Sequence, residues 1–579
     1  MNNQEVARTF ELLADMLDIE GKENKFAILA YRRAAEQIAN LDRDINPIAQ
    51  AGELRSIAGI GQAIADKITS LLKTGSFDLL ERMKQTIPAG IVELLAIPDM
   101  GPKRVKMLWE QAGINNVDEL EQAARANKLA GLPGIGPKME SKIIANIEVN
   151  RKRSSNVRLP LGLAYPLAYA MLKQLMYVDG VLRASVAGSL RRMKETIGDI
   201  DLLVASAEVD SVMDIFTSLD QVAEVIARGP TKSSVRLHTG QQVDLRVIQP
   251  KHWGAALQYF TGSKDHNVRL REIALKKGYS LNEYSLTRVK DGKDFFCPEE
   301  REVYQKLGLP FIPPELREDR GEFERDIPRL IELADMRGDL QMHTQWSDGE
   351  TTIEEMARAA QAKGYEYILI TDHSQSLGVT NGLTPERLKQ QRKEIDAVNA
   401  LHLGIRVLQG SEVEIKADGT LDYPDEVLAS LDVVLASLHT SLRQEHDKVT
   451  QRALKAIRNP HVDIFAHPTG RLNFEAGDPK KAREGADLDM EAVIAACKET
   501  GTILEINASP ERLDLNDLNT RRALDVGCTL VISTDAHNPT MFNNMHYGVA
   551  VARRAWATPD RVVNTWPLEK LLKYVKRNA

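Results

Sequence analysis

Apolar positions recur along this chain with different periods, and the changes between them divide it. Near the N-terminus Val6, Phe10, Leu13 and Leu17 fall three or four apart, the spacing of one helix face. Farther on, Val243-Asp244-Leu245-Arg246-Val247-Ile248 alternates apolar and polar residues, as a half-buried strand does. Asp199-Ile200-Asp201 also alternates and runs into Leu202-Leu203. From about residue 335 the pattern changes again. Short apolar runs at 366–370, 433–436, 462–466, 502–506 and 529–532 are separated by helical stretches such as 354–363 and 386–400. Alternating strands and helices predict parallel strands. The proline-dense 309–314 stretch and the charged 315–326 stretch mark the boundary before them, since both disfavour regular packing.

A chain of 579 residues suggests several domains. Helical patterning is expected over 1–85 and 86–150, a linker at 317–334 and a strand–helix repeat at 335–579. Net charge is −7 with a pI near 6.0, so a basic field over the whole molecule is absent and any nucleic-acid affinity rests on local patches. Cys297, Cys497 and Cys528 form no metal or disulfide spacing, which fits a reducing cytoplasm. The first residues lack a basic and apolar leader. The most apolar stretch, 161–176, contains Pro166 and Lys173 and is too short to span a bilayer. These features predict a cytoplasmic monomer without a membrane partner.

Asp199 and Asp201 stand on one strand face, because residues two apart point the same way. Two carboxylates that close repel and call for a cation. Mg²⁺ suits them, since it binds through one or two carboxylates plus substrate phosphates. Upstream, Gly188-Ser189-Leu190-Arg191-Arg192 offers a turn whose N–H groups suit a phosphate and an arginine that adds a bidentate donor. Asp244 completes a three-carboxylate, two-metal set, and Arg246, two residues on, is placed to hold it by a charge-assisted bond. A lone Asp-x-Asp is usually a solvated strand; the Gly-Ser turn makes the pattern far more specific.

Together with Tyr259-Phe260-Thr261-Gly262-Ser263 and the 274–284 segment, these motifs resemble the palm and thumb signatures of family X DNA polymerases, the relatives of DNA polymerase beta. The resemblance implies a palm at 151–253 and a thumb at 254–316. It implies that Asp199 and Asp201 bind two Mg²⁺ or Mn²⁺ ions and that Asp244 helps deprotonate a primer 3′-hydroxyl. Gly188, Ser189 and Arg192 would bind the triphosphate; physics alone does not separate Arg192 from Arg191. Tyr259 and Phe260 would pack on the sugar of the incoming nucleotide, with Gly262 allowing the bend. Asn267 would contact the incoming base and Arg271 the template strand. Lys264 and Val268 depart from the family pattern on the template side.

Three Gly-turn motifs precede the palm: Gly59-Ile60-Gly61, Asp99-Met100-Gly101 and Gly134-Ile135-Gly136. A turn of this kind at a helix N-terminus points N–H groups at a phosphate without reading sequence. One such turn could be a cap. Three, followed by Lys103, Arg104, Lys106, Lys138 and Lys142, resemble helix-hairpin-helix DNA clamps, the middle copy departing at Asp99. The family also implies a lyase lysine just past the first turn, where Lys67 falls, near the 30–35 segment with Tyr31 and Arg32. Segment 1–85 carries slightly more acids than bases, so Lys67 reads equally well as Schiff-base nucleophile or as phosphate contact. The basic run 151–153 reads as a linker or a DNA-backbone contact.

In the last segment, predicted strand ends carry His343, Asp348, His373, Glu412, His439, His467, Asp535 and His537. Residues at the C-terminal ends of barrel strands converge on one face. Mixed imidazole and carboxylate ligands suit Zn²⁺, Mn²⁺ or Fe²⁺. The motifs 371–374, 466–468 and 533–537 resemble the PHP (polymerase and histidinol phosphatase) domain, which implies a distorted (β/α)7 barrel with up to three metal ions. The family's first motif is His-x-His; here it is Gln341-Met342-His343, and Gln is a weaker, neutral ligand.

The combined reading is a template-directed, gap-filling repair polymerase acting on gapped or nicked duplex DNA and dNTPs, alongside other repair proteins, with a fused 3′–5′ exonuclease. The family further implies AP-endonuclease, 3′-phosphatase and 5′-deoxyribose-phosphate lyase action. Two alternatives stand beside it: a non-templated nucleotidyltransferase, and a DNA-end scaffold with a decayed barrel.

Overall fold

The computed structural model describes residues 3–575, apart from residues 24, 40–44, 58, 98–99, 130, 134, 137–138, 145 and 148–157. The chain forms two compact units, Met1–Val157 and Arg158–Ala579.

The first unit is helical. Val6, Phe10, Leu13 and Leu17, the periodic positions of helix Asn3–Glu20, are all fully buried. One hydrophobic core runs from Val6 through Ile68, Leu71 and Leu108 to Ile147. It crosses the boundary expected near residue 85, and Lys106 Nζ donates to the Glu20 carbonyl across it. Helices of about a dozen residues expose an apolar stripe that they cannot close alone, so neighbouring hairpins share it.

In the second unit a five-stranded sheet has the order Val181–Val186, Ile200–Ser206, Gln242–Ile248, Lys232–Leu237, Val222–Arg228. Ile200–Ser206 runs parallel to Gln242–Ile248, and the register pairs Asp201 with Asp244. One face, with Leu202, Val204 and Leu245, packs under helices Leu161–Met176 and Val209–Thr217. The opposite face, with Leu203, Ala205 and Ile248, meets helix Trp253–Thr261. Asp201 and Leu203 are two apart on one strand, as are Asp244 and Arg246 on the next, so the carboxylates lie on this second face. Helix Lys264–Lys276 follows, capped by Ser263, then a three-stranded sheet and helix Glu300–Lys306. The segment read as a linker is anchored along its length. Arg317 is fully buried on Glu300, and Glu322 accepts from buried His266 at 2.8 Å.

Seven parallel strands follow in chain order: Gly338–Asp339, Tyr367–Ile370, Arg406–Glu414, Val433–Ser437, Ile464–Phe465, Ile503–Asn507 and Leu530–Ser533. A parallel bridge between Met342 and Ala536 brings the first and last together, with His343 N donating to the Ala536 carbonyl at 2.8 Å. The strand interior changes along the barrel axis. Leu408, Leu435 and Val531 pack on Trp566, Leu571 and Val575 around helix Leu568–Val575, which closes the N-terminal end. Two steps of the period-two pattern farther on, Glu412, His439 and Asp535 face the other end. Two strands, Gly338–Asp339 and Arg406–Glu414, show no apolar run in the sequence, although His343 and Glu412 mark their ends. The first is two residues long, and the second buries Gln409, Ser411, Glu412 and Glu414, which break the apolar pattern.

Candidate active sites

Asp199, Asp201 and Asp244 offer carboxylate oxygens within 4.8 Å of one another. Burial, then the Asp199 and Asp244 charges, push the Asp201 carboxyl up to about 7. Burial also pushes Asp244 up, but hydrogen bonds from Lys232, Gln242 and Ser234 outweigh it and lower the carboxyl. Lys232, on the neighbouring strand, pairs with Asp244 Oδ2, and Gln242 Nε2 donates to Oδ1 at 2.9 Å. Arg246, expected to hold Asp244, instead lies over the Phe260 ring at 4.6 Å. Three converging acids, one of them raised to about 7 by burial and then by its neighbours' charges, form a donor set that fits hard divalent cations.

Gly188 opens the short helix Gly188–Arg191 with φ +57°, and a Cβ there would lie 2.0 Å from Asp201 Oδ2. Only glycine leaves room for that carboxylate. Arg191 and Arg192, inseparable in sequence, separate in space. Arg191 forms a bidentate pair with buried Glu300 at 2.7 and 2.8 Å. Arg192 donates through Nε to Glu318 at 3.1 Å and through Nη1 to the Thr261 carbonyl. Its Nη2 makes no hydrogen bond among the described residues. Gly262, at φ +68°, gives Arg192 its place, since a Cβ there would be 3.1 Å from Nη1. Tyr259 and Phe260 meet edge to face at 5.1 Å. Asn267 donates to the Tyr259 carbonyl at 2.7 Å and accepts from Gln258 at 2.8 Å. Arg271 is half-buried on the same helix, Lys264–Lys276.

At the C-terminal end of the barrel, three overlapping groups converge: His343, Asp348, His373 and His537; His373, Glu412 and His439; His343, Glu412 and Asp535. Glu412 is the hub, with His467 at 2.7 Å, His439 at 3.0 Å, His343 at 3.3 Å and His373 at 3.5 Å. His343 stacks between His373 and His537, ring centroids 4.4 Å apart on each side. Burial pushes the Glu412 carboxyl up, but the surrounding imidazoles outweigh it and hold it well below the usual range. Both His343 nitrogens, His373 Nδ1, His467 Nδ1 and Gln341 Oε1 are buried without a hydrogen-bond partner. Imidazole nitrogens and carboxylate oxygens that converge in one buried group fit cations. Gln341 donates through Nε2 to Glu412 at 3.0 Å, which leaves its carbonyl oxygen unmatched beside the cluster. Sequence reasoning missed the residues that hold these ligands. Glu414 fixes His439 Nδ1 at 3.0 Å and the Thr440 amide at 3.0 Å. Asn507 and Arg512 hold Asp535 Oδ2 at 3.1 and 3.4 Å. The Glu412-Val413-Glu414 alternation was the available signal for Glu414.

In the first unit the three turns share one geometry. Ile60, Met100 and Ile135 donate to the carbonyls three residues back, of Ile57, Ile97 and Leu132, at 3.0–3.1 Å. Gly61, Gly101 and Gly136 then supply the first carbonyl of the following helix, and a Cβ on any of them would meet nothing within 4 Å. The middle copy is thus built like the others, although its Asp99 lies outside the described residues, as do Gly134, Lys138 and the 151–153 run. Gly59 sits in the first turn at φ +83°. Lys67 Nζ donates to the Ala63 carbonyl at 3.2 Å and lies 5.8 Å from the Tyr31 ring centre. Arg32 is paired with Asp15 at 2.8 Å and Asp18 at 3.2 Å.

A bacterial relative settles the family. The DNA polymerase/3′-5′ exonuclease PolX of Bacillus subtilis is 40% identical over 582 residues, covering 100% of both chains. The chain belongs to the family X DNA polymerases with a fused PHP domain. Within this family X chain, the DNA polymerase beta thumb family matches residues 256–318 and the PHP domain family residues 339–509. A helix-hairpin-helix domain matches residues 1–77 and a SAM-like helix-hairpin-helix tandem residues 91–148. DNA polymerase lambda of Rattus norvegicus is 25% identical over 55% of the chain and 56% of that protein. A probable phosphatase of a Thermoanaerobacter species is 32% identical over 39% of the chain and 88% of that protein. Asp535 and His537 lie beyond the PHP match, yet close on His343 in space. Among the described residues no helix is long and apolar enough to cross a membrane.

Proposed function

We propose that the chain is a template-directed DNA polymerase that adds dNMP to a primer 3′-hydroxyl and carries a 3′–5′ exonuclease in its barrel. The observation that carries this reading is the convergence of Asp199, Asp201 and Asp244 beside the Gly188–Arg192 turn and the Tyr259–Gly262 bend. Asp199 and Asp201 would hold two Mg²⁺ or Mn²⁺ ions, and Asp244 one of them. Bound there, the ions supply charge stabilisation at the attacking and leaving oxygens. Asp244 would help deprotonate the primer hydroxyl. Arg192 Nη2 and the Ser189 turn orient the triphosphate, and the Tyr259–Phe260 wall packs on its sugar. Asn267 would meet the base edge in the minor groove, where contacts check pair shape without reading sequence.

In the barrel, His343, Asp348, His373, Glu412, His439, His467, Asp535 and His537 would hold up to three ions of the Mn²⁺, Zn²⁺ or Fe²⁺ class. The chemistry those ions supply is hydrolysis of a terminal phosphodiester. Glu414, Asn507 and Arg512 keep the ligands in register, since such outer partners fix ligand orientation. The three Gly-turns would grip backbone phosphates, and gapped or nicked duplex is the substrate they suit. Extension of a gapped duplex with and without a 5′-phosphate, metals varied, tests the reading. Labelling of a lone single strand at equal rate would favour a non-templated transferase. Borohydride trapping on a 5′-deoxyribose-phosphate end, lost in Lys67→Ala, tests the lyase role. The probable phosphatase among the relatives makes 3′-phosphate removal a second barrel activity to assay.

A further inference from the structure

Arg554 ends the barrel helix Met545–Arg554, yet its side chain reaches into the polymerase half. This side chain is 3% exposed and joins three segments. Nε and Nη2 donate to Asp517 of the barrel at 3.0 and 2.8 Å. Nη1 donates to the Arg192 carbonyl at 2.7 Å and to Glu318 Oε1 at 3.1 Å. The same Glu318 oxygen accepts from Arg192 Nε at 3.1 Å. One carboxylate oxygen therefore links an arginine of the barrel to an arginine of the phosphate turn. Burial pushes the Glu318 carboxyl up, but Arg192, Arg554 and Lys194 outweigh it and hold it at about 2, so it stays charged.

Arg192 is thereby fixed at its backbone by Arg554, at Nε by Glu318 and at Nη1 by Thr261. Only the Nη2 edge is left to face a ligand. A planar fork held on its other sides is pre-organised, and binding then has less side-chain freedom to remove. We propose that Arg554 is a positioning residue of the polymerase site: through the Arg192 carbonyl and the shared Glu318, it holds Arg192 ready for the triphosphate of the incoming nucleotide. The inference rests on the assignment of Arg192 as a triphosphate ligand. It gives the barrel a part in nucleotide binding at a site it does not line.

Steady-state gap filling by the full chain, with KM for dNTP and kcat resolved separately, tests it. The variants are Arg192→Ala, Arg554→Lys, Asp517→Asn and the Arg192→Ala/Arg554→Lys double. Lysine keeps the charge and loses the fork. Arg554→Lys is expected to raise KM for dNTP about two- to tenfold, with kcat within about twofold and DNA affinity unchanged. Asp517→Asn, which loosens Arg554 from the barrel side, raises it less. Adding Arg554→Lys to Arg192→Ala adds nothing, because the second change acts only through the first. Arg471→Met, which breaks a separate barrel–palm pair with Glu195, leaves KM for dNTP unchanged. Melting curves show which variants fold, and the two mild substitutions keep the test open if one does not. Effects that multiply in the double variant overturn the inference. So does an equal rise in Arg471→Met, or an unchanged KM in both mild variants while Arg192→Ala raises it. An unchanged KM in Arg192→Ala overturns the triphosphate assignment itself, and the inference with it.

Discussion

The carboxylate site of the palm and the imidazole–carboxylate site of the barrel lie in one compact unit and are built on opposite plans. The palm offers three acids of graded exposure, Asp199 exposed, Asp201 half-buried and Asp244 buried, and one of them is pushed up to about 7. The barrel offers a ligand set nested around fully buried Glu412, whose carboxyl is driven down by its imidazoles. An open, acid-only site waits for a substrate that brings its own phosphate oxygens. A nitrogen-rich site, buried at Glu412 and His343 and open to solvent at Asp348, would supply most of a coordination shell before any substrate arrives. The difference teaches where each site is vulnerable: the palm to loss of a single charge, the barrel to loss of a shared ligand.

The largest effect expected is therefore at Asp201. Asp201→Ala should lower nucleotide incorporation at least about a thousandfold, because the charge it supplies acts where charge develops. DNA binding, which we assign to the first unit's turns, should stay nearly intact. Primer extension and gel shift read the two. Residual extension within about tenfold of wild type would sink the assignment. Next is His343, which belongs to two of the three barrel groups. His343→Ala should lower 3′–5′ hydrolysis at least about a hundredfold while extension by the Asp201 site persists. Equal loss of both activities would mean that the two sites are not separate.

Much of this contrast was legible in the sequence, and the exceptions have physical causes. The period-two alternation placed Asp201 and Asp244 on strand faces, and strand-end histidines announced the barrel. Arg406–Glu414 was legible only at its end, at Glu412, because it buries polar residues where an apolar run is expected. Lys232, Glu318 and Arg554 gave no signal at all. Each acts through a partner distant in sequence, and an ion pair has no period. The shared core of the first unit was hidden for a related reason: amphipathic helices reveal which face is buried and not against what.

Gln341 tests how far the nitrogen-rich plan tolerates a defect. Its amide nitrogen is engaged with Glu412 and its carbonyl oxygen is unmatched, so an imidazole there would add one nitrogen ligand to the His343, Glu412, Asp535 group. Gln341→His should lower the Mn²⁺ concentration needed for exonuclease action about 10–100-fold, or roughly 1.4–2.8 kcal/mol of binding. Wild type should still degrade 3′ ends at saturating Mn²⁺ and stop on chelation. Activity found only in Gln341→His would mean that this barrel keeps its fold without its chemistry.

Proton competition should separate the sites by pH. The Asp201 carboxyl is raised from its ordinary value to about 7, so below that pH a proton must leave before a cation binds. Apparent Mg²⁺ affinity of the palm should fall about tenfold per unit as pH drops below 7. In chelated protein the sign for stability follows from the raised value. The Asp201 contribution is fully present below pH about 4 and is lost as pH rises through about 7. Chelated wild type should therefore melt lower at pH 8 than at pH 6 relative to Asp201→Asn, and added Mg²⁺ should restore it at pH 8. Parallel pH curves for wild type and Asp201→Asn would show that this carboxyl is already ionised.

The smallest effect expected comes from the turns, and it sharpens the contrast from the side of the substrate. An open site depends on DNA being held by something else. We assign that task to three turns of one geometry, so losing one should cost little. Gly136 suits the test because a side chain there meets nothing within 4 Å and its carbonyl still starts the following helix. Gly136→Val should leave the fold untouched and keep a phosphate from approaching its backbone. The outcome expected is about a three- to tenfold weaker affinity for duplex of any sequence, with the slope of log affinity against log salt reduced by about one. Extension at limiting DNA should fall with affinity and recover at saturating DNA, since the carboxylates are unchanged. Loss confined to one sequence would contradict a backbone clamp, and loss that saturating DNA fails to rescue would place Gly136 in the chemistry.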